Sequence, residues 1–249
     1  MQDSLVSCTQ SDRAVTVKKN AVSILLMLLF SFLAGTAPAQ PVDYARLFAG
    51  DWEKAKAFLN ENDTWIKASM SKYNLPYDET VAIVFPELVR YSAIRDKMEI
   101  TLLKSLYRNL GEDYADFSVG VFQVKPSFAE RIRLVSAASG KPLKSMFRRR
   151  SGFSSDHEYR SAIISDLESP EAEFRYIIAF CIICSKQFNL GKTDASEKIR
   201  FLATAYNTGF WKSEADIKKM EEKKYFTTKL FKSETYPYAD VALFWYENH

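Results

Sequence analysis

The sequence predicts an all-α protein. Apolar residues recur at helical spacing along most of the chain, and Ser169-Pro170-Glu171 is a strong helix-start signal. No convincing strand alternation appears beyond one short extended segment, residues 117–124, around Gly120. The chain has 249 residues, of which 47% are hydrophobic and 26% charged, so a single domain can bury a full core.

The N-terminus predicts export. Lys18 and Lys19 precede an apolar run from Ala21 to Ala34, and Ala37-Pro38-Ala39 follows, which is typical of a signal peptide cleaved after Ala39. The long polar lead before Lys18 leaves open an uncleaved anchor. We therefore predict a signal peptide over residues 1–39, a single domain over residues 40–249, and a location in the periplasm or cell envelope. No stable membrane span is expected after cleavage, because the run is shorter than the roughly 20 apolar residues that a span needs.

Charge and residue usage restrict the chemistry. The formal net charge of +3 is too mild to indicate nucleic-acid binding. The run Arg148–Arg150 is typical of a solvated loop, with an acidic polymer as the alternative partner. Cys181 and Cys184 lie in an apolar helical pattern with only His157 and His249 as histidines, which favours core thiols over zinc ligands. A disulfide between the two cysteines would be awkward within one helix. No metal motif, phosphate loop or nucleophile triad is visible, and we predict neither a metal nor a cofactor.

The helical pattern divides at turn and capping signals. We expect a loop from Lys141 to Ser155, and an acidic loop before residue 117. The predicted helices cover residues 40–75, a segment from near Asp78 to Glu87, Asp96 to Asn109, Ser127 to Ala138, Ser169 to Phe188, Thr193 to Gly209, and the chain after Pro237.

Glu87 is the most informative acid in the chain. It follows the apolar run Val81–Phe85, where loss of water favours the protonated carboxyl and raises its pKa. A carboxylic acid that keeps its proton near neutral pH can act as a general acid. Pro86 removes a backbone donor beside it, so we expect a kink or helix end at Glu87. The alternative is that Glu87 faces water on the polar side of an amphipathic helix.

Two later segments carry polar residues in apolar surroundings. Gly120-Val-Phe-Gln123-Val-Lys-Pro126 places a glutamine among apolar residues, and that amide needs hydrogen bonds from a ligand or from neighbouring backbone. Ala205-Tyr206-Asn207-Thr-Gly209 places a polar pair on the last turn of a predicted helix.

The order of these three segments resembles the soluble lytic transglycosylases, which share the lysozyme-like fold with goose-type lysozymes. The family has Glu-Ser at a helix end, then Gly-Leu-Met-Gln-Ile/Leu-Met-Pro, then Ala-Tyr-Asn-Ala-Gly. Glu234-Thr235-Tyr-Pro-Tyr238 also resembles the family's late Glu-Thr-x-x-Tyr, and Lys72-Tyr-Asn-Leu-Pro76 resembles the lead-in to its catalytic helix. The resemblance extends from about Trp65 to the end of the chain.

The resemblance implies a lysozyme-like helical domain and a role for each matching residue. Glu87 matches the catalytic acid, Gly120 and Gln123 match the segment beside the scissile sugar, Tyr206 and Asn207 match the pair that lines the cleft and orients the acid, and Tyr238 matches the late tyrosine near the same site. The chain departs from the family at Leu88, where a serine is usual, at Phe85-Pro86, at Lys125, and in the long gap between Glu87 and Gly120.

The implied activity is that of a peptidoglycan lytic transglycosylase. It would cleave the β-1,4 bond between N-acetylmuramic acid and N-acetylglucosamine and form a 1,6-anhydro product, with Glu87 as general acid and base and peptidoglycan strands as the partner. Two alternatives stay open. One is a lysozyme-type hydrolase in which Asp113 or Asp116 activates water. The other is a non-catalytic envelope protein that holds glycan or acts as a scaffold.

Overall fold

A computed structural model describes residues 42–93, 97–228 and 234–249. The predicted signal peptide, residues 1–39, lies outside the described residues, as does the predicted helix start at Asp96. Asp43–His249 form one compact unit. None of the described helices is both long and apolar enough to cross a membrane.

Helices make up most of the described chain, which confirms the all-α class. Three short 3-10 turns, Leu143–Ser145, Arg150–Gly152 and Leu190–Lys192, lie in the connections. The helices are α1 Tyr44–Phe48, α2 Gly50–Ser71, α3 Tyr77–Ala93, α4 Lys97–Leu110, α5 Pro126–Ala138, α6 Asp156–Leu167, α7 Pro170–Gln187, α8 Ala195–Thr208, α9 Glu214–Lys218 and α10 Tyr238–Asn248.

Extended backbone is confined to short pieces in the described residues. Val119 and Val124 form an isolated antiparallel bridge inside the segment that the sequence predicts as extended. A second pair, β1 Lys224–Phe226 and β2 Tyr236–Pro237, is antiparallel and was not predicted. Strands of two or three residues are too short to show a period-2 pattern, so the sequence carries no signal for them.

Helix α3 is the centre of the unit. It packs against α2, α7, α8 and α10, and Val81–Phe85 are all buried. A helix surrounded on every side is apolar all round, which explains the unbroken hydrophobic run. Its packing also overrides Pro86, since the helix continues to Ala93 and the expected helix end at Glu87 is wrong. The carbonyl of Ile83, three residues before the proline, accepts a hydrogen bond from the Tyr238 hydroxyl at 3.2 Å.

Several boundaries differ from the predicted ones for local reasons. Residues 40–75, predicted as helical with a second segment at Trp65-Ile66, form two helices that are separated at Ala49, where φ is +42°, and the second runs unbroken through Trp65. Helix α6 was not predicted, although Ser155 caps it by accepting a hydrogen bond from the Glu158 amide at 3.1 Å. Asp194, rather than Thr193, caps α8. Cys181 and Cys184 are free, buried thiols on α7, as expected of core residues.

We expect Phe85→Ala to destabilise the protein by about 3–5 kcal/mol, because it empties a large volume from the centre of the core. The Phe85 side chain is 0% exposed and packs between Trp52, with ring centroids 4.6 Å apart, and Trp245, at 5.1 Å. Urea unfolding would measure the change. Leu102→Ala is the control, since that side chain is 63% exposed and its loss should change stability by less than about 0.5 kcal/mol. Equal effects would contradict the central place given to α3.

Candidate active site

Glu87 lies inside the protein on α3 and does not face water. The residue is 4% exposed, and the Nη1 atom of Arg90, one turn later, donates to both carboxylate oxygens at 2.9 Å. The Arg90 guanidinium also lies over the Phe226 ring, 4.8 Å from its centroid. Loss of water raises the pKa of Glu87, while Arg90, a hydrogen bond with Tyr238 and the charge of Lys125 act in the opposite direction.

Tyr238 connects the start of α10 to this carboxylate. Its side chain is buried, and its hydroxyl interacts with both the Ile83 carbonyl and the Glu87 carboxylate. Burial, followed by the charge of Glu87, raises the pKa of Tyr238, so the phenol keeps its proton. A phenol has a single proton to donate, so the Tyr238 hydroxyl can move that proton from the Ile83 carbonyl to Glu87 when the carboxyl is ionised.

The segment around Gly120 and Gln123 is a tight loop closed by the bridge between Val119 and Val124. The backbone turns through positive φ at Gly120 (+76°) and Gln123 (+56°). The Gln123 side chain donates from Nε2 to the Gly120 carbonyl at 2.7 Å. Its amide therefore helps to fix the loop, which is the backbone alternative that the sequence left open.

Glu173, which sequence reasoning missed, holds this loop in place. It is a fully buried residue in the first turn of α7, and its carboxylate oxygens accept hydrogen bonds from the Phe122 and Val124 amides at 3.2 Å. Burial raises its pKa well above the ordinary value, while these amides and that of Val121 act against the shift. An acid in the first turn of a helix is usually explained by the helix dipole alone, so the sequence held no distinctive signal for this role.

Gly120 is required by the same contact. A Cβ atom at this position would lie 2.2 Å from the Glu173 Oε2 atom and 2.3 Å from the Leu167 carbonyl oxygen. Positive φ adds a second reason, because side chains other than glycine rarely adopt that conformation. The glycine and the buried glutamate therefore form one structural unit.

Tyr206 joins the loop to the rest of the site. It is buried on α8, and its hydroxyl donates to the Phe122 carbonyl at 2.7 Å. Burial raises its pKa, and the nearby charges of Tyr238, Glu173 and Glu87 add to the shift. Asn207 follows on the same turn of α8 and is half-buried. The structure thus gathers the segments of Glu87, the loop, Tyr206 and Tyr238 in one region.

The acids considered as a second catalytic carboxylate have other surroundings. Asp116 accepts a hydrogen bond from the Ser127 amide at 3.2 Å and pairs with Lys125 at 3.5 Å. Asp113 is exposed, and both acids line a cavity whose lining does not include Glu87. Glu173 is a second buried carboxylate in this region, and its charge acts on Tyr206. Its oxygens are bound to backbone amides.

The chemistry available is that of carboxyl and phenol groups. Within residues 42–93, 97–228 and 234–249, no group of three or more His, Cys, Asp or Glu residues is arranged to hold a metal ion. Glu87 can donate a proton and accept it back, with Arg90 and Tyr238 as its hydrogen-bond partners.

No family model, curated protein or solved structure matches this chain. The resemblance to lytic transglycosylases therefore depends on the sequence segments quoted above. The function has to be argued from the geometry of the site.

We expect Glu173→Ala to destabilise the protein by about 3 kcal/mol or more, because each buried amide left without an acceptor costs about 1–3 kcal/mol. Glu173→Gln keeps one acceptor oxygen and should cost less. Urea unfolding would rank the variants, with Glu171→Ala, on the exposed side of the same turn, as control.

The same variants carry a pH signature. A folded-state pKa above the unfolded value makes stability fall as pH rises from about 4.5 towards the raised pKa, because the unfolded chain then binds fewer protons than the native protein. Glu173→Gln should lose part of that fall, and the other carboxyl groups with raised pKa values, Glu87, Glu112 and Glu221, account for the remainder. An unchanged pH dependence would contradict a protonatable carboxyl at position 173.

Proposed function

We propose that the protein is a peptidoglycan lytic transglycosylase with a lysozyme-like fold and Glu87 as its acid and base. One observation carries the proposal: segments that are far apart in sequence meet in the region of Glu87, a buried carboxyl group with a raised pKa. Those segments are α3, the loop of residues 119–124, α8 and α10. They are the segments in which the sequence resembles the family. Their spacing along the chain did not by itself require them to lie close together in the fold.

The first chemical step uses the proton on Glu87. Burial favours the protonated form, so the carboxyl can give its proton to the glycosidic oxygen as the bond to the muramic acid residue breaks. The sugar becomes oxocarbenium-like, and its own acetamide oxygen can stabilise that centre. Arg90 and Tyr238 then stabilise the carboxylate that remains on Glu87.

The second step returns the proton. Glu87, now a carboxylate, accepts the proton of the C6 hydroxyl, and the C6 oxygen bonds to the anomeric carbon to close a 1,6-anhydro ring. No water is consumed and the enzyme recovers its starting protonation. The scheme needs one carboxylate, which agrees with a site where Glu173 is engaged by backbone amides and Asp116 by Lys125 and Ser127.

Access to Glu87 requires that Arg90 move. In the described state Arg90 Nη1 occupies both carboxylate oxygens, and a leaving oxygen needs one of them. Arg90 is only partly buried, so its long side chain can shift to keep one carboxylate oxygen and free the other when a glycan strand enters. Binding of the glycan would then both expose a Glu87 oxygen and place the leaving oxygen beside it.

The contact of Arg90 with both Glu87 oxygens also favours the second candidate function, a non-catalytic protein that holds glycan. An ion pair with a purely structural role also has one arginine bound to both carboxylate oxygens. This chain has Leu88 where the family has a serine, so a polar residue is missing beside the acid. This candidate has glycan binding without turnover. The hydrolase differs in its products, since anhydro products are lighter by one water than hydrolytic ones.

Export to the periplasm or cell envelope belongs to the proposal, because that is where peptidoglycan is found. The predicted signal peptide supports this location. Peptidoglycan strands are the proposed partner, and no cofactor enters the mechanism.

We expect Glu87→Gln to bind purified sacculi but to release no muropeptides, because the amide has no proton acidic enough to protonate the leaving oxygen. Wild-type digestion should give 1,6-anhydro products by mass spectrometry. Glu53→Gln, on the exposed face of α2, is the matched control and should digest like wild type. Release by Glu87→Gln would remove Glu87 from the mechanism, hydrolytic masses would favour the lysozyme, and binding without release by wild type would favour the non-catalytic protein.

We expect Arg90→Met to move the alkaline limb of the pH–activity profile to higher pH. Arg90 lowers the pKa of Glu87, so its removal raises that pKa further, and cleavage requires the protonated acid. Arg90→Lys keeps a positive charge and should move the limb less, while Arg46→Met, at an exposed residue of α1, should leave it unchanged. A limb that stays fixed in Arg90→Met would show that the profile does not report Glu87.

A further inference from the structure

Arg90 reaches Glu87 through a single nitrogen atom. Its Nη1 atom donates to both carboxylate oxygens at 2.9 Å, and these are the hydrogen bonds that the guanidinium makes to the described residues. An arginine that donates in parallel from two nitrogen atoms has the plane of its guanidinium fixed by the carboxylate. Contact through one nitrogen leaves that plane free to turn, and the Arg90 side chain is 22% exposed. The orientation of Arg90 therefore depends on its other contacts.

The ring of Phe226 supplies such a contact. The Arg90 Cζ atom lies over this ring, 4.8 Å from the centroid, which is within the distance of about 6 Å at which a ring attracts a cation. Phe226 is the inward-facing residue of β1 and is 0% exposed. A ring attracts a guanidinium without neutralising it, whereas an acid at this position would compete with Glu87 for Arg90. Phe226 can therefore orient Arg90 and leave its positive charge to Glu87.

The same ring also packs against Tyr238, the other hydrogen-bond partner of Glu87. The Phe226 and Tyr238 rings meet edge to face, with centroids 5.7 Å apart and planes at 84°. The pairing of β1 with β2 explains this contact, because Phe226 lies opposite Tyr236, two residues before Tyr238 begins α10. One side chain thus contacts both groups that stabilise the Glu87 carboxylate.

Phe226 is itself held in place by α1. The Phe48 ring packs edge to face on it, with centroids 5.5 Å apart, and also contacts Tyr236 at 5.9 Å. Phe48 is 8% exposed, so this packing lies inside the protein. The Phe226 ring is therefore fixed by the core before a ligand enters, as a side chain that orients other groups must be.

We propose that Phe226 is a positioning residue, which holds the guanidinium of Arg90 and the phenol of Tyr238 against the Glu87 carboxyl group. It acts through these two neighbours and takes no part in proton transfer. When Arg90 shifts to free one carboxylate oxygen, the ring keeps the guanidinium beside the other. The effect on cleavage rests on the proposed function, whereas the effect on the acidity of Glu87 does not.

The pKa of Glu87 reports this role. Arg90 and Tyr238 both lower that pKa against the effect of burial, so loosening them should raise it. The other charged or titratable groups that interact with Glu87 lie on other elements: Lys125 before α5, Glu173 on α7 and Tyr206 on α8. A substitution at Phe226 alters none of these groups.

Carbon-13 NMR of the glutamate carboxyl groups measures this pKa directly, with the Glu87 signal assigned by its loss in Glu87→Gln. We expect Phe226→Leu to shift the pKa of Glu87 upward, by less than Arg90→Met does. In the Arg90→Met background the same substitution should add a smaller shift than it does alone, because the cation that the ring orients is gone. An unchanged pKa in Phe226→Leu, or equal shifts in the two backgrounds, would overturn the proposal.

Two further variants separate positioning from packing. Phe48→Leu removes a buried ring from the other contact of Phe226, and it should lower stability in urea while leaving the pKa of Glu87 unchanged. A shift as large as that of Phe226→Leu would attribute the effect to general loosening and overturn the proposal. Phe226→Met fills most of the same volume without a ring. It should raise the pKa as Phe226→Leu does, and it replaces that variant if Phe226→Leu fails to fold.

The wild-type protein offers a measurement that needs no variant at position 226. Protons held over the face of an aromatic ring resonate upfield, so the Arg90 side-chain protons, assigned with Arg90→Met, should be shifted upfield of those of exposed arginines. Arg90 signals at ordinary positions would show that the guanidinium does not rest on Phe226, and would overturn the proposal.

The activity measurements distinguish this proposal from the proposed function. If both hold, the alkaline limb of the pH–activity profile moves upward in Phe226→Leu together with the measured pKa of Glu87. A raised pKa in a protein whose wild type releases no muropeptides supports the positioning role and contradicts the proposed function. An unchanged pKa in a variant that still cleaves overturns the positioning role and leaves the activity in place.

Discussion

The site depends on the burial of two carboxyl groups on helices that are surrounded by other helices. Glu87 lies on α3, whose neighbours leave it 4% exposed, and Glu173 lies fully buried on α7. Each is stable there only because other groups take the place of water. For Glu87 these groups are Arg90 and Tyr238, and for Glu173 they are backbone amides of the loop. The packing of the two helices therefore dictates which side chains and which loop must lie beside them.

The two carboxylates have different partners and therefore different capacities. Glu173 is surrounded by donors that cannot leave, since they belong to the backbone of residues 121–124. Its role is to fix the loop, and Gly120 has no side chain because the carboxylate occupies that space. Glu87 is paired with the guanidinium of Arg90, a partly buried side chain, which in the proposed mechanism releases one oxygen to a ligand. A proton-transfer role is thus more compatible with Glu87 than with Glu173, although both have raised pKa values.

Sequence reasoning reached much of this arrangement and missed parts of it for identifiable reasons. The helical period, the caps and the unbroken apolar run of α3 carry local information, so the class and most helices could be predicted. Of the kink or helix end predicted at Glu87, the helix end was wrong, because the packing around α3 outweighs the local effect of Pro86. The role of Glu173 could not be found, because it depends on a contact with residues about fifty positions away. The β1–β2 pair was missed because strands of that length have no pattern of their own.

Tyr238 shows how the fold and the site are linked through one hydroxyl. Pro86 has no N–H to donate to the carbonyl four residues before it, that of Ala82, and the Tyr238 hydroxyl donates to the next carbonyl, that of Ile83. The same hydroxyl interacts with Glu87. The proline that departs from the family pattern and the tyrosine that matches it are thus joined within α3 and α10. The departure at Pro86 does not displace the acid, because the helix continues through the proline to Ala93, and Tyr238 contacts both the turn before the proline and the carboxylate after it.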